Sequence, residues 1–328
     1  FNTTRNNAGN FSSSYNGKEG WKGWVSASPA REPITGPCPA DPTTTCEFYP
    51  DPTKGWDGKT TADRLDDLTD LDTRLVLSWS DEWASTNYKG GVPFKWATDQ
   101  TNLSSAQKAW LGKETSDTTA TVYTKGENVL NFIRGNRTLE GDKDTTGGYT
   151  AALPFRERTS RQGDIVNSEI WYTGAPASNY TLAGYSSFAN TYKSRTPMLY
   201  VGGNDGMLHG FSATDGNEKI AYVPRGVVID LKKLADPNYK HQYFVDGSPM
   251  AGDIKDGTDW RTVLVGSLGA GGKGYFVLDV TDPSTFAEAK SQQLVVKDRT
   301  RGNGESAPDC NRTGISAAEK TACLSVVE

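Results

Sequence analysis

The 328-residue chain carries a formal net charge of −5, and its pI is near 5.3. A protein that holds the nucleic-acid backbone needs a basic surface, so this acidic balance excludes nucleic acid as the expected partner. No apolar run approaches the roughly 20 residues that a transmembrane helix requires, so no membrane-spanning segment is predicted. Only 35% of the residues are hydrophobic, yet the chain has 9 Trp, 14 Tyr and 35 Gly, which favours a core built from aromatics in short strands.

The first sixty residues are rich in Asn, Ser, Gly, Pro and Thr, with aromatic residues between the turn residues. This composition predicts a loop-rich β start over residues 1–60, with a strand at 22–27. The sequence leaves open whether these strands are the first strands of a blade. The chain begins at Phe1 without an initiating Met or an apolar leader. We therefore expect a processed protein or a fragment of a longer one.

Residues 61–148 have a mixed α/β pattern and are expected to be inserted in, or to lead into, the β region that follows. Leu65, Leu68 and Leu71 recur every three residues behind a threonine that can cap a helix, which predicts a short helix followed by a strand. Two further helices are predicted, each with a glycine at its C-terminal end. They cover residues 102–112 and 125–136.

Residues 149–328 give an almost continuous succession of short apolar runs bounded by Gly, Asn and Asp. The runs form two sets of four, and Val201-Gly202 in the first set corresponds to Val265-Gly266 in the second. A repeated unit of four short strands is typical of a β-propeller, in which each blade is a four-stranded antiparallel sheet. The prediction is a mainly β fold, a β-propeller of four-stranded antiparallel blades with an α/β insertion of short helices. Two units are too few to close a ring, so either earlier strands supply more blades or the propeller is incomplete in this chain.

The four cysteines fall into two local pairs, Cys38 with Cys46 and Cys310 with Cys323, each within a loop-forming segment. Neither pair has the spacing of a zinc knuckle or a CxxC redox centre, and closure of a short loop favours disulfides. Free or differently paired thiols remain the alternative. Disulfides would place the protein outside the cytoplasm.

Motifs for catalysis are weak. The only two histidines, His209 and His241, lie among strand-forming residues, where a structural or surface role is expected. The segment "GAGGKG" (269–274) matches GxGxxG, but "YFVLDV" after it alternates like a strand instead of opening a helix, so a hairpin loop is predicted instead of a nucleotide site.

Two Asp-Gly steps, Asp205-Gly206 and Asp215-Gly216, follow apolar runs and have the chemistry of tight turns between strands. Because carboxylates in such loops can also bind calcium, Asp205 and Asp215 are weak candidates for metal ligands. The dense DxDxD pattern of a calcium loop is absent from both.

Four segments of the β region together resemble the C-terminal propeller of the PilY family (PilC in some species) of type IV pilus assembly and tip-adhesin proteins. They are "RQGDIVNSEIWYTG" (161–174), "TPMLYVGGNDGMLHGFSATDGNEKIAYVPRG" (196–226), "DGSPMAGDI" (246–254) and "WRTVLVGSLGAGGKGYFVLDVTDP" (260–283). Upstream, "PFKW" (93–96), "NLSSAQKAWL" (102–111) and "ENVLNFIRGNR" (127–137) resemble the segments that lead into that propeller. The likeness covers most of residues 70–290.

The resemblance implies a non-enzymatic, extracellular protein near the pilus tip or outer cell surface. Such a protein contacts minor pilins and a host-cell or abiotic surface, and it supports pilus biogenesis, retraction control and adhesion. Family members usually begin with a von Willebrand factor A-like domain containing DxSxS, and many carry a DxDxDxVxD calcium loop in a later blade; neither motif occurs here. Calcium control is therefore implied for the parent protein, without ligands assigned in this chain, and no other cofactor is expected.

The alternative is a pyrroloquinoline-quinone propeller dehydrogenase, because Ala213, Asp215, Lys219 and Tyr222 echo the A-x-D-x-x-TG-K-x-x-W repeat of that family. The echo lacks the TG pair and the Trp, and no two cysteines are adjacent. A shared blade architecture explains it without a cofactor.

For partner binding, the candidate surfaces are the two cysteine loops and the long, Tyr-rich loop of residues 175–194 between the first two strands of the first unit. Its aromatic residues either anchor a partner or pack over the blade edge, and the sequence leaves both open. They are Tyr180, Tyr185, Phe188 and Tyr192.

Overall fold

Short antiparallel strands dominate the secondary structure of the protein. In this computed structural model the described residues are 2–6, 9–16, 21–28, 37–38, 41–45, 55–84, 87–96, 102–112, 119–142, 149–303, 305, 310 and 314–327. Among them, no helix is both long and apolar enough to cross a lipid bilayer.

A three-stranded antiparallel sheet forms the N-terminal part of the chain. Phe11 and Val25 lie on the same face of this sheet and are buried, so the face is apolar and turned inward. The predicted strand at 22–27 is confirmed. The strands of this region are β1 (Asn2–Asn6), β2 (Gly9–Asn16) and β3 (Lys22–Ser28), followed by the hairpin of β4 (Pro37–Cys38) and β5 (Asp41–Thr45).

The middle of the chain contains the predicted short helices. Thr60 and Asp63 form a capping box, in which each side chain accepts a hydrogen bond from the other residue's backbone N–H, and this fixes where the first helix begins. Gly135 adopts a φ of +112° just after the third helix, as its predicted C-terminal role requires. The helices are α1 (Thr61–Asp66), α2 (Ser105–Gly112) and α3 (Thr119–Ile133).

The first β unit of the predicted propeller lies in a six-stranded sheet, which we call the first sheet. Its order is β10-β11-β12-β13-β6-β7, and all neighbours are antiparallel except β13 and β6. The strands, with the short parallel pair β8 and β9, are β6 (Val76–Ala84), β7 (Asn87–Pro93), β8 (Glu140–Gly141), β9 (Phe155–Arg156), β10 (Trp171–Thr173), β11 (Met198–Gly202), β12 (Leu208–Ser212) and β13 (Glu218–Val223).

The first unit therefore differs from the predicted four-stranded blade. Its four strands are present, but the sheet has two more strands, because β6 pairs with the edge of β13 and β7 pairs with β6. The Ser78 hydroxyl donates to the Val223 carbonyl (2.8 Å), and backbone pairing runs from Ala221 to Val223. The mixed α/β segment thus contributes strands to this sheet as well as helices.

The second unit forms a separate four-stranded antiparallel sheet, the second sheet, with the order β14-β15-β17-β18. This matches the predicted four-stranded unit, although its first strand begins only at Met250. The elements, with a small bridge between β16 and β19, are α4 (Tyr185–Thr191), β14 (Met250–Asp256), β15 (Asp259–Ser267), β16 (Gly272–Lys273), β17 (Tyr275–Asp279), α5 (Ser291–Leu294), β18 (Val295–Asp298), β19 (Arg301–Gly302) and α6 (Ala317–Val327).

Two clusters make up most of the apolar core. The larger one joins one face of the first sheet, one face of the second sheet and helices α2 and α3; Tyr222 and Phe276 meet in it with ring centroids 5.0 Å apart. The smaller cluster lies between the other face of the first sheet and the N-terminal sheet. The fold is mainly β with several sheets and few helices, and no closed ring of blades is found in the described part of the chain.

Candidate functional site

The two Asp-Gly steps are turns between strands, as predicted. Gly206 has a φ of +94° between β11 and β12, and Gly216 has a φ of +73° between β12 and β13. These values lie in the left-handed region that glycine tolerates. The "GAGGKG" segment is likewise a short 3-10 turn that leads into strands β16 and β17, with no helix after it.

Asp205 belongs to a buried ionic network. Its Oδ2 accepts hydrogen bonds from the backbone N–H of Gly163 (2.8 Å) and from Nε2 of His209 (3.0 Å). Nδ1 of His209 contacts Oε1 of Glu218 (2.8 Å), and Glu218 accepts two hydrogen bonds from the Arg74 guanidinium (2.7 and 2.9 Å). The positive charges of Arg74 and His209 are thus balanced by the negative charges of Asp205 and Glu218. Charged groups in a protein core are normally paired in this way.

The network holds its members in the charged state. Burial by itself disfavours a charged imidazole, but the carboxylates of Asp205 and Glu218 outweigh burial and raise the pKa of His209 to about 9. For Glu218, burial is likewise outweighed by Arg74 and His209, which lower its pKa to about 2. His209 is therefore a structural cation at neutral pH, in keeping with the structural role expected for it.

Asp215 occupies the opposite end of β12 from Asp205. Its side chain accepts from the backbone N–H of Asn217 (2.9 Å) and lies 4.0 Å from Nζ of Lys219. Five residues of strand span about 16 Å, so the two carboxylates do not meet at one ion. Within the described ranges, no group of three or more His, Cys, Asp or Glu is arranged to hold a metal. Calcium binding at either aspartate alone stays a prediction.

The second histidine packs against aromatic rings. Nε2 of His241 lies 2.8 Å from Oδ2 of Asp164, and its ring stacks on Trp21 with centroids 3.9 Å apart. Asp164 also accepts a hydrogen bond from the side-chain amide of Asn204 (2.8 Å), and burial raises its pKa. These contacts fasten the turn after β11 to the segment that precedes β14.

The aromatic loop between β10 and β11 packs on the second sheet. Helix α4 places Tyr185 and Phe188 one turn apart on the same helix face, and both are buried against Trp260 of β15. Tyr192 meets Phe188 edge-on, and Tyr180 stacks on Trp260 with 47% of its surface exposed. Of the four predicted partner-binding residues, Tyr180 is thus the most open, whereas Tyr185 and Phe188 face the protein.

Polar contacts reinforce this attachment. The Tyr185 hydroxyl donates to Oδ2 of Asp253 (2.7 Å), and the Thr262 hydroxyl donates to Oδ1 of the same residue (2.7 Å). Arg195, just before β11, donates to the Gly174 carbonyl (2.7 Å) and to the Thr262 hydroxyl (2.7 Å). Through these hydrogen bonds, the loop holds the first sheet against the second.

The second sheet also carries a surface that the sequence interpretation missed. Met250, Ile254, Val265 and Tyr275 are large apolar residues with 41–60% of their surface exposed, and we call the sheet face that carries them the outer face. A signal existed in the sequence: "VLV" at 263–265 is apolar at consecutive positions, which is typical of a strand covered on both faces.

One of the two predicted disulfides is present. Cys310 and Cys323 are bonded, and this ties the start of the C-terminal segment to helix α6. Cys38 lies in β4, while Cys46 lies outside the described residues, so the pairing of Cys38 with Cys46 stays a prediction.

Taken together, the fold and these contacts define a protein of repeated antiparallel β units, fastened by buried ionic and aromatic contacts. Residues 162–313 match the family model described as the PilY1 beta-propeller domain. The match covers both β units, and the resemblance to the PilY family is confirmed.

Several relatives carry the same name. The chain is 47% identical over 165 residues to a "Type IV pilus biogenesis factor PilY1 homolog" of Xylella fastidiosa strain Temecula1, covering 48% of this chain and 13% of that protein. It is 41% identical over 213 residues to the "Type IV pilus biogenesis factor PilY1" of Pseudomonas aeruginosa strain PAK, covering 62% of this chain and 17% of that protein. The chain thus spans less than a fifth of the length of these relatives.

A solved structure is similar over a shorter stretch. The crystal structure of the Pseudomonas aeruginosa PilY1 C-terminal domain is 45% identical, covers 35% of this chain and 23% of that chain, and has a TM-score of 0.27. The dehydrogenase alternative is not favoured, since the relatives are named pilus biogenesis factors. Tyr222, which echoes the tryptophan of the dehydrogenase repeat, is a core residue whose hydroxyl donates to Asp298 (2.5 Å).

Proposed function

We propose that this chain is part of a type IV pilus biogenesis factor that acts outside the cytoplasm, at the pilus tip or outer cell surface. The observation that carries the proposal is the match of residues 162–313 to the PilY1 propeller family, together with relatives at 41–47% identity that are named for pilus biogenesis. The disulfide between Cys310 and Cys323 supports an oxidising location.

The proposed scaffold is a β-propeller with four-stranded blades, of which this chain supplies two units. In the proposed division, residues 1–60 are a loop-rich β start, 61–148 an α/β insertion, and 149–328 the blades. The proposed role is binding instead of catalysis. The charged groups beside the Asp205-Gly206 turn, those of Arg74, Glu218, His209 and Asp205, are paired with one another or with the backbone.

The proposed contact for minor pilins or a surface is the exposed rim of the loop that precedes α4. Tyr180 is 47% exposed and Leu182 is 58% exposed, and the stack of Tyr180 on Trp260 holds the loop in place. Exposed aromatic residues on a rigid support are the residues that commonly anchor partners. Adhesion and retraction control would follow from such contacts at the tip.

A filament-binding assay tests this surface. The purified protein is sedimented with sheared type IV pili, and the Tyr180→Ser/Leu182→Ser variant is expected to lose most of the bound fraction. Leu153→Ser is a matched control, because Leu153 is an exposed leucine outside this loop. Substitution instead of deletion of the loop is needed, since Tyr185 and Phe188 hold the second sheet. Equal binding by the Tyr180 variant and the control would reject this surface, and no binding by any form would count against pilus association.

A further inference from the structure

A small cavity lies where the end of α3, strand β9 with the segment after it, and the turn after β11 meet the segment between β13 and β14. Its volume is about 20 Å³, which is room for one particle of about the size of a water molecule or a halide ion. The charged side chains in its wall are those of Arg156, Arg158, Arg161, Asp164 and Asp205.

Gln162, which also lines the cavity, has a buried donor without a partner. The residue is 1% exposed, and its Nε2 has no hydrogen-bond partner among the described residues. The Thr61 hydroxyl accepts from the backbone N–H of Val25 (2.8 Å) and donates to Oε1 of Gln162 (2.7 Å), which fixes the orientation of the amide. Because a buried N–H without an acceptor is unfavourable, Gln162 favours an acceptor inside the cavity.

Arg156 supplies further donors. Its Nε donates to the Leu234 carbonyl (2.5 Å), and its guanidinium carbon lies 4.4 Å from the centre of the Tyr239 ring. These contacts fix the position of the guanidinium group but leave its two Nη atoms without a hydrogen-bond partner in the described structure. Nor does any described carboxylate form an ion pair with Arg156, so its charge is open to a ligand.

Positive charge is in excess around the cavity. Arg137 and Arg158 share one carboxylate, that of Glu140, at 3.2 and 2.7 Å. Arg161 donates to three backbone carbonyls (2.6–2.9 Å) instead of to a carboxylate. Burial lowers the pKa of Arg158 to about 10, and the neighbouring charges of Arg156 and Arg137 contribute to the lowering although Glu140 opposes it. A negative charge in the cavity would relieve this repulsion.

The two carboxylates in the wall have partners of their own. Oδ2 of Asp205 binds Nε2 of His209 (3.0 Å), whose charge balances it. Oδ2 of Asp164 binds Nε2 of His241 (2.8 Å) and accepts from the side-chain amide of Asn204 (2.8 Å). Neither acid forms an ion pair with an arginine of the cavity wall in the described structure. A neutral water molecule would therefore leave the guanidinium groups of the wall uncompensated, whereas an anion balances them.

We infer that this cavity is a binding site for a small monovalent anion of the halide type, such as chloride, with Gln162 and Arg156 as its donors and Arg161 beside it. Phosphate and sulfate are too large for a space of about 20 Å³. Because Trp21 also lines the cavity, the bound ion stabilises the attachment of the N-terminal region to the first sheet. The inference is independent of the proposed role in pilus assembly.

Thermal unfolding of the 328-residue protein tests the inference. Sodium chloride replaces sodium gluconate at constant ionic strength, because gluconate is too large for the cavity. We expect the unfolding midpoint to rise to a plateau, by about 2–4 °C once chloride exceeds its Kd about tenfold, since a ligand bound only by the folded state stabilises it. Arg156→Gln should abolish the rise. Lys255→Gln removes an exposed positive charge from the second sheet and is the control, so it should keep the rise.

Crystals of the unaltered protein in sodium bromide locate the ion directly, because bromide scatters anomalously, and they do not depend on a variant that folds. An anomalous peak beside Arg156 and Gln162, together with a chloride response that Arg156→Gln loses, supports the inference. Water at this position in bromide overturns it, as does an equal chloride response in Arg156→Gln and Lys255→Gln. A bromide peak without a chloride response would mean binding at crystal concentration only and also overturns it. Stronger stabilisation by acetate than by chloride would assign the site to a carboxylate group and overturn the halide.

Discussion

Raising the pH should weaken the fold through His209. Its pKa is 6.5 in an ordinary environment and about 9 in the protein, because Asp205 and Glu218 outweigh burial. A group whose pKa is raised by folding stabilises the protein fully below its unfolded pKa, and that stabilisation is lost as the pH rises through the folded value. At 1.36 kcal/mol per pH unit, the difference corresponds to about 3 kcal/mol lost between pH 6 and pH 10.

Urea unfolding of the protein and of His209→Gln at several pH values measures this contribution. Lysines and tyrosines titrate in both proteins, so the difference between the two free energies of unfolding isolates position 209. We expect the difference to be largest at pH 6 and to shrink by about 3 kcal/mol by pH 10. A difference that stays constant over this range would refute the reasoning, because it would mean that the imidazole does not carry a charge inside the network.

Three further changes test the packing by urea unfolding. Tyr200→Phe should leave the free energy of unfolding unchanged or raise it, since the buried hydroxyl has no hydrogen-bond partner among the described residues; a loss of more than about 1 kcal/mol would reveal one. Gly266→Ala should lower the free energy of unfolding by about 1–3 kcal/mol, because an added Cβ would lie 2.2 Å from the Phe276 ring. Gly252→Ala is the control and should be nearly neutral, because there is open space around Gly252. Equal effects of the two substitutions would contradict the packing. Tyr185→Phe should cost about 1–3 kcal/mol by removing a donor to a buried carboxylate, and an unchanged midpoint would contradict that contact.

The strands of the β region could be predicted because their signals are local. Apolar runs bounded by Gly, Asn and Asp predicted the strands of the second sheet, and the Asp205-Gly206 step predicted the turn between β11 and β12. The wider role of that turn was not visible in the sequence. Asn204 accepts from the backbone N–H of Phe244 (3.0 Å) and donates to Asp164, residues forty positions away on either side.

Long-range pairing explains the parts that the sequence did not predict. Strand β6 joins β13 although Ser78 and Val223 are 145 positions apart, and no local pattern specifies which edge a strand joins. Tyr185 and Phe188 lie in a segment whose composition is that of an exposed loop, and their burial depends on Trp260, more than seventy residues later. Arg74 gave no signal because its carboxylate partner, Glu218, lies 144 positions later in the chain.

Pilus assembly in the source organism tests the central claim most directly. The gene is deleted and complemented with the natural sequence or with Leu264→Asp, which places a charge at a fully buried position in the second sheet. Surface pilin released by shearing is then measured. The account predicts that deletion abolishes surface pilin, that the natural sequence restores it and that Leu264→Asp does not. Unchanged surface pilin in the deletion strain would contradict a role in type IV pilus biogenesis.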